Sequence, residues 1–147
     1  MRKPSHAITH YGGWNRDVIS ATESKPGVIT LTIVTAAYGD AGEHWRRVLD
    51  KPSHGGFGRI YVERAGARAR RRDACWELSG LHRGKPACNL DECPGAMFIW
   101  ANADVAAHVE PLDADANQRL GLAMGAALRP IKQVTPEDLW EVEFRFL

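Results

Sequence analysis

The sequence predicts a single α+β domain in which a mainly antiparallel β-sheet carries one long helix in the C-terminal half and one short helix. Its 147 residues, 44% hydrophobic and 25% charged, suit one domain with one sizeable core. Residues 28–38 are rich in β-branched types, and residues 140–146 alternate between apolar and charged side chains. Residues 112–129 instead repeat apolar side chains at helical spacing. We expect the domain to span residues 1–147, with residues 1–26 forming an irregular N-terminal arm.

The cellular compartment of the protein is predicted from its amino terminus, its most apolar segment and its cysteines. No apolar run follows the basic residues at the amino terminus, so a secretory signal is not expected. The most apolar segment, VITLTIVTAAY, is too short to cross a membrane, and we therefore expect no membrane partner. The odd count of three cysteines argues against a disulfide scaffold. These features favour a soluble protein in the reducing cytoplasm.

The first strand and the short helix follow from local patterns. In the strand at residues 28–38, the better core face carries Ile29, Leu31 and Ile33. After Gly39, Asp40 is a candidate N-cap and Glu43 completes a capping box for a helix of about three turns. The SHGGFG stretch that follows is either turn chemistry or, beside Lys51 and His54, an anion cradle.

A basic β-hairpin is the next predicted element. Residues 57–63 and 67–78 have strand-like composition, and Ala65 and Gly66 offer a tight connection between them. Alternation from residue 67 places Arg68 and Arg70 on one face, and a change of phase at residues 71–73 predicts a β-bulge.

The remaining elements alternate between loop, strand and helix. Residues 78–94 are interrupted by glycine and proline and predict a loop, whereas residues 96–100 and 105–109 predict short strands. Asp113 or Asp115 can cap the long helix. Gly121 and Gly125 lie one turn apart in it and predict either close packing on the sheet or the approach of a ligand. In the last strand, four apolar side chains should face the core: Trp140, Val142, Phe144 and Phe146.

A cluster of arginines carries the leading functional hypothesis. Guanidinium groups match the geometry of phosphates, and a β-ribbon can lie along a nucleic acid. The sequence thus predicts a binding protein that recognises an anionic partner, either nucleic acid or a nucleotide, through the hairpin. The alternative is a solvated strand face. The predicted anion-binding residues are Arg59, Arg68, Arg70, Arg71 and Arg72.

The cysteines suggest a second site. Zinc takes four thiolate or imidazole ligands, and Cys75, His82, Cys88 and Cys93 satisfy that count. No CxxC pair is present, so buried free cysteines are the competing interpretation, and a disulfide between Cys88 and Cys93 is a weaker one. Zinc is therefore the one cofactor that the sequence suggests.

Two further classes of function stay open. The absence of a catalytic motif favours a binding protein over an enzyme, but a small hydrolase or nuclease that uses histidine is the alternative, with His10, His44 and His54 in or beside turns. A thiol paired with His82 is another catalytic possibility. The third class is an inhibitor or adaptor that binds a protein partner through its aromatic and arginine-rich surface.

Overall fold

The computed structural model describes residues 19–70, 88–131 and 138–147, and of residues 88–90 it describes the backbone alone. Within these ranges the chain forms an α+β fold, as predicted, with a five-stranded sheet and a separate two-stranded sheet. Its elements, in chain order, are β1 (Ile19–Lys25), β2 (Val28–Ile33), a 3-10 turn (Thr35–Tyr38), α1 (Gly39–Leu49), a second 3-10 turn (Pro52–Gly56), β3 (Ile60–Val62), β4 (Cys88–Cys93), β5 (Phe98–Trp100), β6 (His108–Asp113), α2 (Ala114–Ala127) and β7 (Trp140–Phe146).

The larger sheet has the strand order β1-β2-β7-β3-β5. All of its pairs are antiparallel except β2 with β7, which run parallel. The predicted core face of β2 is confirmed, since Ile29, Leu31 and Ile33 are fully buried. In β7, Trp140, Val142 and Phe144 are buried and Phe146 is half-buried. The strand patterns therefore identify the centre of the sheet correctly.

Helices α1 and α2 cover the core of the described part of the chain. Trp45 of α1 packs edge-on against Phe98 and at a tilt against Phe144, which joins the helix to β5 and β7. In α2, Asp113 is the N-cap and its carboxylate accepts a hydrogen bond from the backbone of Ala116 at 3.0 Å. The predicted apolar stripe of the long helix is confirmed, because four of its side chains are buried: Leu120, Met124, Ala127 and Leu128.

The prediction of a second strand in the basic hairpin is wrong for residues 67–70, which are helical. The backbone N–H of Arg70 donates to the carbonyl of Gly66 at 3.1 Å, the hydrogen bond of an α-turn. Alanine and arginine are strong helix formers, and this preference outweighs the alternation on which the prediction relied. β3 pairs instead with β5 and β7.

Three other sequence predictions need correction. Ile19–Lys25 forms β1, so these residues are not part of an irregular arm; residues 1–18 lie outside the described ranges. Cys88–Cys93 forms β4, although we expected a loop, because β6 provides a partner strand for it. The N-cap of α1 is Tyr38 rather than Asp40, and no side chain caps this helix.

Candidate functional site

The site is assembled where α1 lies against the two-stranded sheet. In the antiparallel pair of β4 and β6, Cys93 is opposite His108 and Asp91 is opposite Glu110. Residues two apart on a strand share a face, so these four residues lie on the same side of the small sheet. The contacts of His44 with Asp91 and His108 show that this side faces α1.

Three side chains form a continuous hydrogen-bonded chain, which we call the histidine relay: Asp91, His44 and His108. Nδ1 of His44 lies 2.6 Å from Oδ2 of Asp91, and Nε2 of His44 lies 2.7 Å from Nδ1 of His108. His44 is completely buried and Asp91 is 5% exposed, whereas His108 is exposed. The relay therefore runs from the protein interior to its surface.

The helix explains why a histidine is buried at position 44. His44 and Trp45 follow Ala41 by three and four residues, and all three are buried, so His44 belongs to the core-facing side of α1. A buried imidazole needs partners for both of its nitrogens. Asp91 and His108 supply these partners, and Nε1 of Trp45 donates a further hydrogen bond to Oδ1 of Asp91 at 3.3 Å.

The hydrogen bonds specify the direction of the relay. A carboxylate only accepts hydrogen bonds, so Nδ1 of His44 donates its proton to Asp91. In the neutral His44 ring, Nε2 is then an acceptor, and Nδ1 of His108 must donate to it. In a neutral His108 ring this arrangement leaves Nε2 with its lone pair, ready to accept a proton at the surface.

Charges around His108 come from both β6 and α1. Burial lowers the pKa of His108 below its ordinary value, a protonated His44 and the charge of Arg47 act in the same direction, and Glu110 opposes them. Glu110 itself accepts two hydrogen bonds from Arg47, at 3.2 and 2.8 Å, and these hold the pKa of Glu110 below its usual range. His108 is accordingly a neutral base at pH 7.

The predicted arginine cluster is only partly brought together. Nη1 and Nε of Arg70 donate to the carboxylate of Glu63 at 2.6 Å and to the carbonyl of Ala96 at 2.9 Å, so Arg70 has a structural role. Arg68 is exposed, and Arg59 is exposed with Nε 3.9 Å from the carboxylate of Glu141. Arg71 and Arg72 lie outside the described residues. The binding of an anionic partner stays a prediction.

The predicted zinc ligands are mostly beyond the described part of the chain. Cys75 and His82 lie in the range that is not described, and of Cys88 only the place in β4 is known. Cys93 is fully buried in the core, and burial raises the pKa of its thiol well above the ordinary value, with Asp91 adding to the effect. Among the residues that the structure describes, no group of three or more histidine, cysteine or acidic side chains could hold a metal ion. Zinc stays a prediction.

Sequence reasoning found one member of the relay and missed the other two. His44 was a candidate base because of its position near a turn, but Asp91 is 47 residues away and His108 is 64 residues away. Neither residue lies in a recognisable motif. Only the pairing of β4 with β6 places them beside α1.

Two comparisons with known proteins find no match for the chain. No family model matches it, and a search of curated proteins finds no similar sequence. Within the described ranges, no helix combines the length and apolar character needed to cross a membrane. The function must therefore be inferred from the geometry of the histidine relay.

Proposed function

We propose that the protein is a small hydrolase that cleaves an ester bound at the surface beside α1 and β6, with His108 as the general base. The observation that supports this proposal is the pair of hydrogen bonds made by His44, at 2.6 and 2.7 Å. A carboxylate that orients a histidine is the arrangement by which hydrolases prepare an imidazole for proton transfer. Here a second imidazole extends the arrangement to the surface.

The chemistry assigned to His108 begins with a water molecule. Nε2 of His108 accepts a proton from the water as its oxygen bonds to the carbonyl carbon or phosphorus of the ester. The ester bond then breaks, and the leaving oxygen takes up a proton from the imidazolium, so the base is regenerated. Positive charge that forms on His108 is stabilised by the hydrogen bond to His44 and, beyond it, by the carboxylate of Asp91. His44 and Asp91 are thus positioning residues.

The first test is hydrolysis of a panel of p-nitrophenyl carboxylic and phosphoric esters. The variant His108→Ala should lose about 100-fold to 10,000-fold in rate, the usual contribution of a general base. His54→Asn is the matched control, because His54 has a φ of 49° and asparagine tolerates that conformation. The proposal is wrong if no ester is cleaved, or if His108→Ala and His54→Asn have the same effect.

A second candidate function is the binding of nucleic acid or a nucleotide, supported by the exposed positions of Arg59 and Arg68. Replacing both with alanine should weaken binding and flatten its dependence on salt, since fewer counterions are released. The same change at Arg129 and Arg145, which are also exposed, controls for total charge. Equal losses in the two double variants would indicate general electrostatic attraction and no specific site.

A further inference from the structure

A cavity of about 450 Å³ lies on the interior side of the histidine relay. Residues of α1, α2 and the start of β5 give it an apolar wall, and the acidic residues Asp91 and Glu92 of β4 also line it. The apolar wall is made by five residues: Trp45, Met97, Phe98, Leu120 and Met124. The volume and the mixture of an apolar wall with a few polar groups are typical of sites that bind small molecules.

Glycine at position 121 keeps one side of the cavity open. A Cβ atom built on Gly121 meets no heavy atom within 4 Å, so the predicted close packing of this helix face on the sheet is wrong at this position. Gly121 nevertheless lies in the interior of α2, where glycine is less favourable than almost any other residue. Gly121 lines the cavity and is exposed, so the space beside it is open to solvent and leaves room for the other interpretation of the sequence, the approach of a ligand.

The charges of the lining select the kind of ligand. Two acidic residues, Asp91 and Glu92, line the cavity, and among the described lining residues Arg68 is the only cation. Asp91 is 5% exposed, and its two oxygens already accept hydrogen bonds from His44 and Trp45. Each carboxylate oxygen has two lone pairs, so each retains the capacity to accept one further hydrogen bond. The indole ring of Trp45 also lines the cavity, and aromatic rings attract cations.

We propose that this cavity binds a small organic cation, an arylalkylamine in chemical class, with its ring against the apolar wall and its ammonium group at Asp91. The same carboxylate orients His44, so the site is coupled to the surface through the histidine relay. An added positive charge at Asp91 makes a protonated His108 less stable and therefore lowers the pKa of His108. Among the described residues, the groups whose charges act on His108 are Glu110, Arg47 and a protonated His44, Cys93 lies opposite His108 in β4, and none of these four lines the cavity.

Binding is tested with 2-phenylethylamine as the probe, by calorimetry and by NMR of the histidine rings. 2-Phenylethanol is a neutral analogue of the same shape and 3-phenylpropionate an anionic one. The amine should bind at least about tenfold more tightly than either analogue, because only the amine places a charge against Asp91. The absence of saturable amine binding, or equal binding of all three probes, would overturn the proposal.

Two matched variants locate the site. Gly121→Leu introduces a side chain at the cavity and should weaken amine binding by about tenfold or more, because the leucine occupies part of the volume. Gly125→Leu is the control: it lies one turn later in α2, its added Cβ also meets nothing within 4 Å, and it is not part of the cavity lining. Both variants should fold, because leucine favours helix over glycine. Equal effects of the two variants would place the amine elsewhere.

The proposal of an amine site in the cavity and the proposal of a hydrolase can be refuted independently. Amine binding is measured without any substrate, so saturable binding that Gly121→Leu weakens supports the site even if no ester is cleaved. The effect of the amine on hydrolysis rests on the proposed function of His108. Binding that leaves the pKa of His108 unchanged would refute the coupling through the relay.

Discussion

The imidazole of His44 and the carboxylate of Asp91 are joined by a 2.6 Å hydrogen bond in the interior of the protein, although 47 positions separate the two residues in the sequence. A buried polar pair of this kind is expensive unless every hydrogen-bonding group is satisfied. Both nitrogens of His44 and both oxygens of Asp91 have partners, which include Trp45 and His108. The relay therefore serves the stability of the fold as well as the proposed chemistry.

The lowered pKa of His108 predicts how stability changes with pH. Between its pKa in the folded state and the ordinary value near 6.5, the unfolded chain binds more protons than the folded chain. The contribution of His108 is thus fully present above about pH 6.5 and is lost as the pH falls through that range. Urea unfolding should show that the free energy of unfolding falls more between pH 7.5 and pH 5.5 for the wild type than for His108→Asn. Equal differences would contradict the direction of this shift.

The aromatic cluster around Phe144 predicts a large loss of stability on truncation. Phe144 is 8% exposed, and its ring packs against those of Trp45, His54 and Phe98 at centroid distances of 5.4 to 5.7 Å. Phe144→Ala should lower the free energy of unfolding by about 3 to 5 kcal/mol, the range for a buried phenylalanine. Phe146→Ala, in the same strand but half-buried, is the control and should cost less. Similar losses in urea unfolding would show that the core is centred elsewhere.

Arg64 should make a measurable contribution to stability at the end of α2. Its guanidinium donates to the carbonyls of Leu128 and Ile131, at 2.7 and 2.8 Å, and so ties β3 and its following turn to the backbone just beyond the last turn of α2. Arg64→Ala should cost about 1 to 2 kcal/mol, the magnitude of hydrogen bonds from a partly exposed charged group. Arg59→Ala removes an equal charge from a side chain that is 68% exposed and should cost almost nothing. Thermal unfolding that fails to separate the two variants would remove this role from Arg64.

The turn after α1 predicts that glycine is preferred at position 53. Ser53 and His54 have φ values of 53° and 49°, a left-handed conformation that an L-residue adopts only at a cost. Ser53→Gly should be more stable than Ser53→Ala by about 1 kcal/mol, because glycine has no Cβ to strain. At Ser20, inside β1, the order should be reversed, so that Ser20→Ala is more stable than Ser20→Gly. The same order at both positions in chemical denaturation would contradict this explanation.

The elements that the sequence predicted correctly are those whose signal is local. The alternation from Trp140 to Phe146 and the apolar spacing from Leu120 to Leu128 follow directly from the geometry of strands and helices. The capping of α2 by Asp113 is equally local. In such segments the neighbouring residues in the sequence are enough to indicate the secondary structure and which side chains are buried.

The predictions that failed depended on partners far away in the sequence. β4 contains an asparagine and two acidic residues, types that strands ordinarily disfavour, and it forms because β6 pairs with it. In residues 67–70, helix propensity and the hydrogen bond from Arg70 to Gly66 outweigh the two-residue alternation. The meeting of Asp91 with His108 follows from that same long-range pairing, so no local pattern could have indicated it.

The tautomer of His108 is the most direct test of the central claim, that the histidine relay presents a free base at the surface. Two-dimensional NMR that correlates the ring nitrogens with the ring protons distinguishes the nitrogen that carries hydrogen from the one that does not. At pH 7.5 both His44 and His108 should carry hydrogen on Nδ1, with Nε2 of His108 unprotonated. A neutral His108 with its hydrogen on Nε2 would contradict the direction of the relay and, with it, the assignment of His108 as the general base.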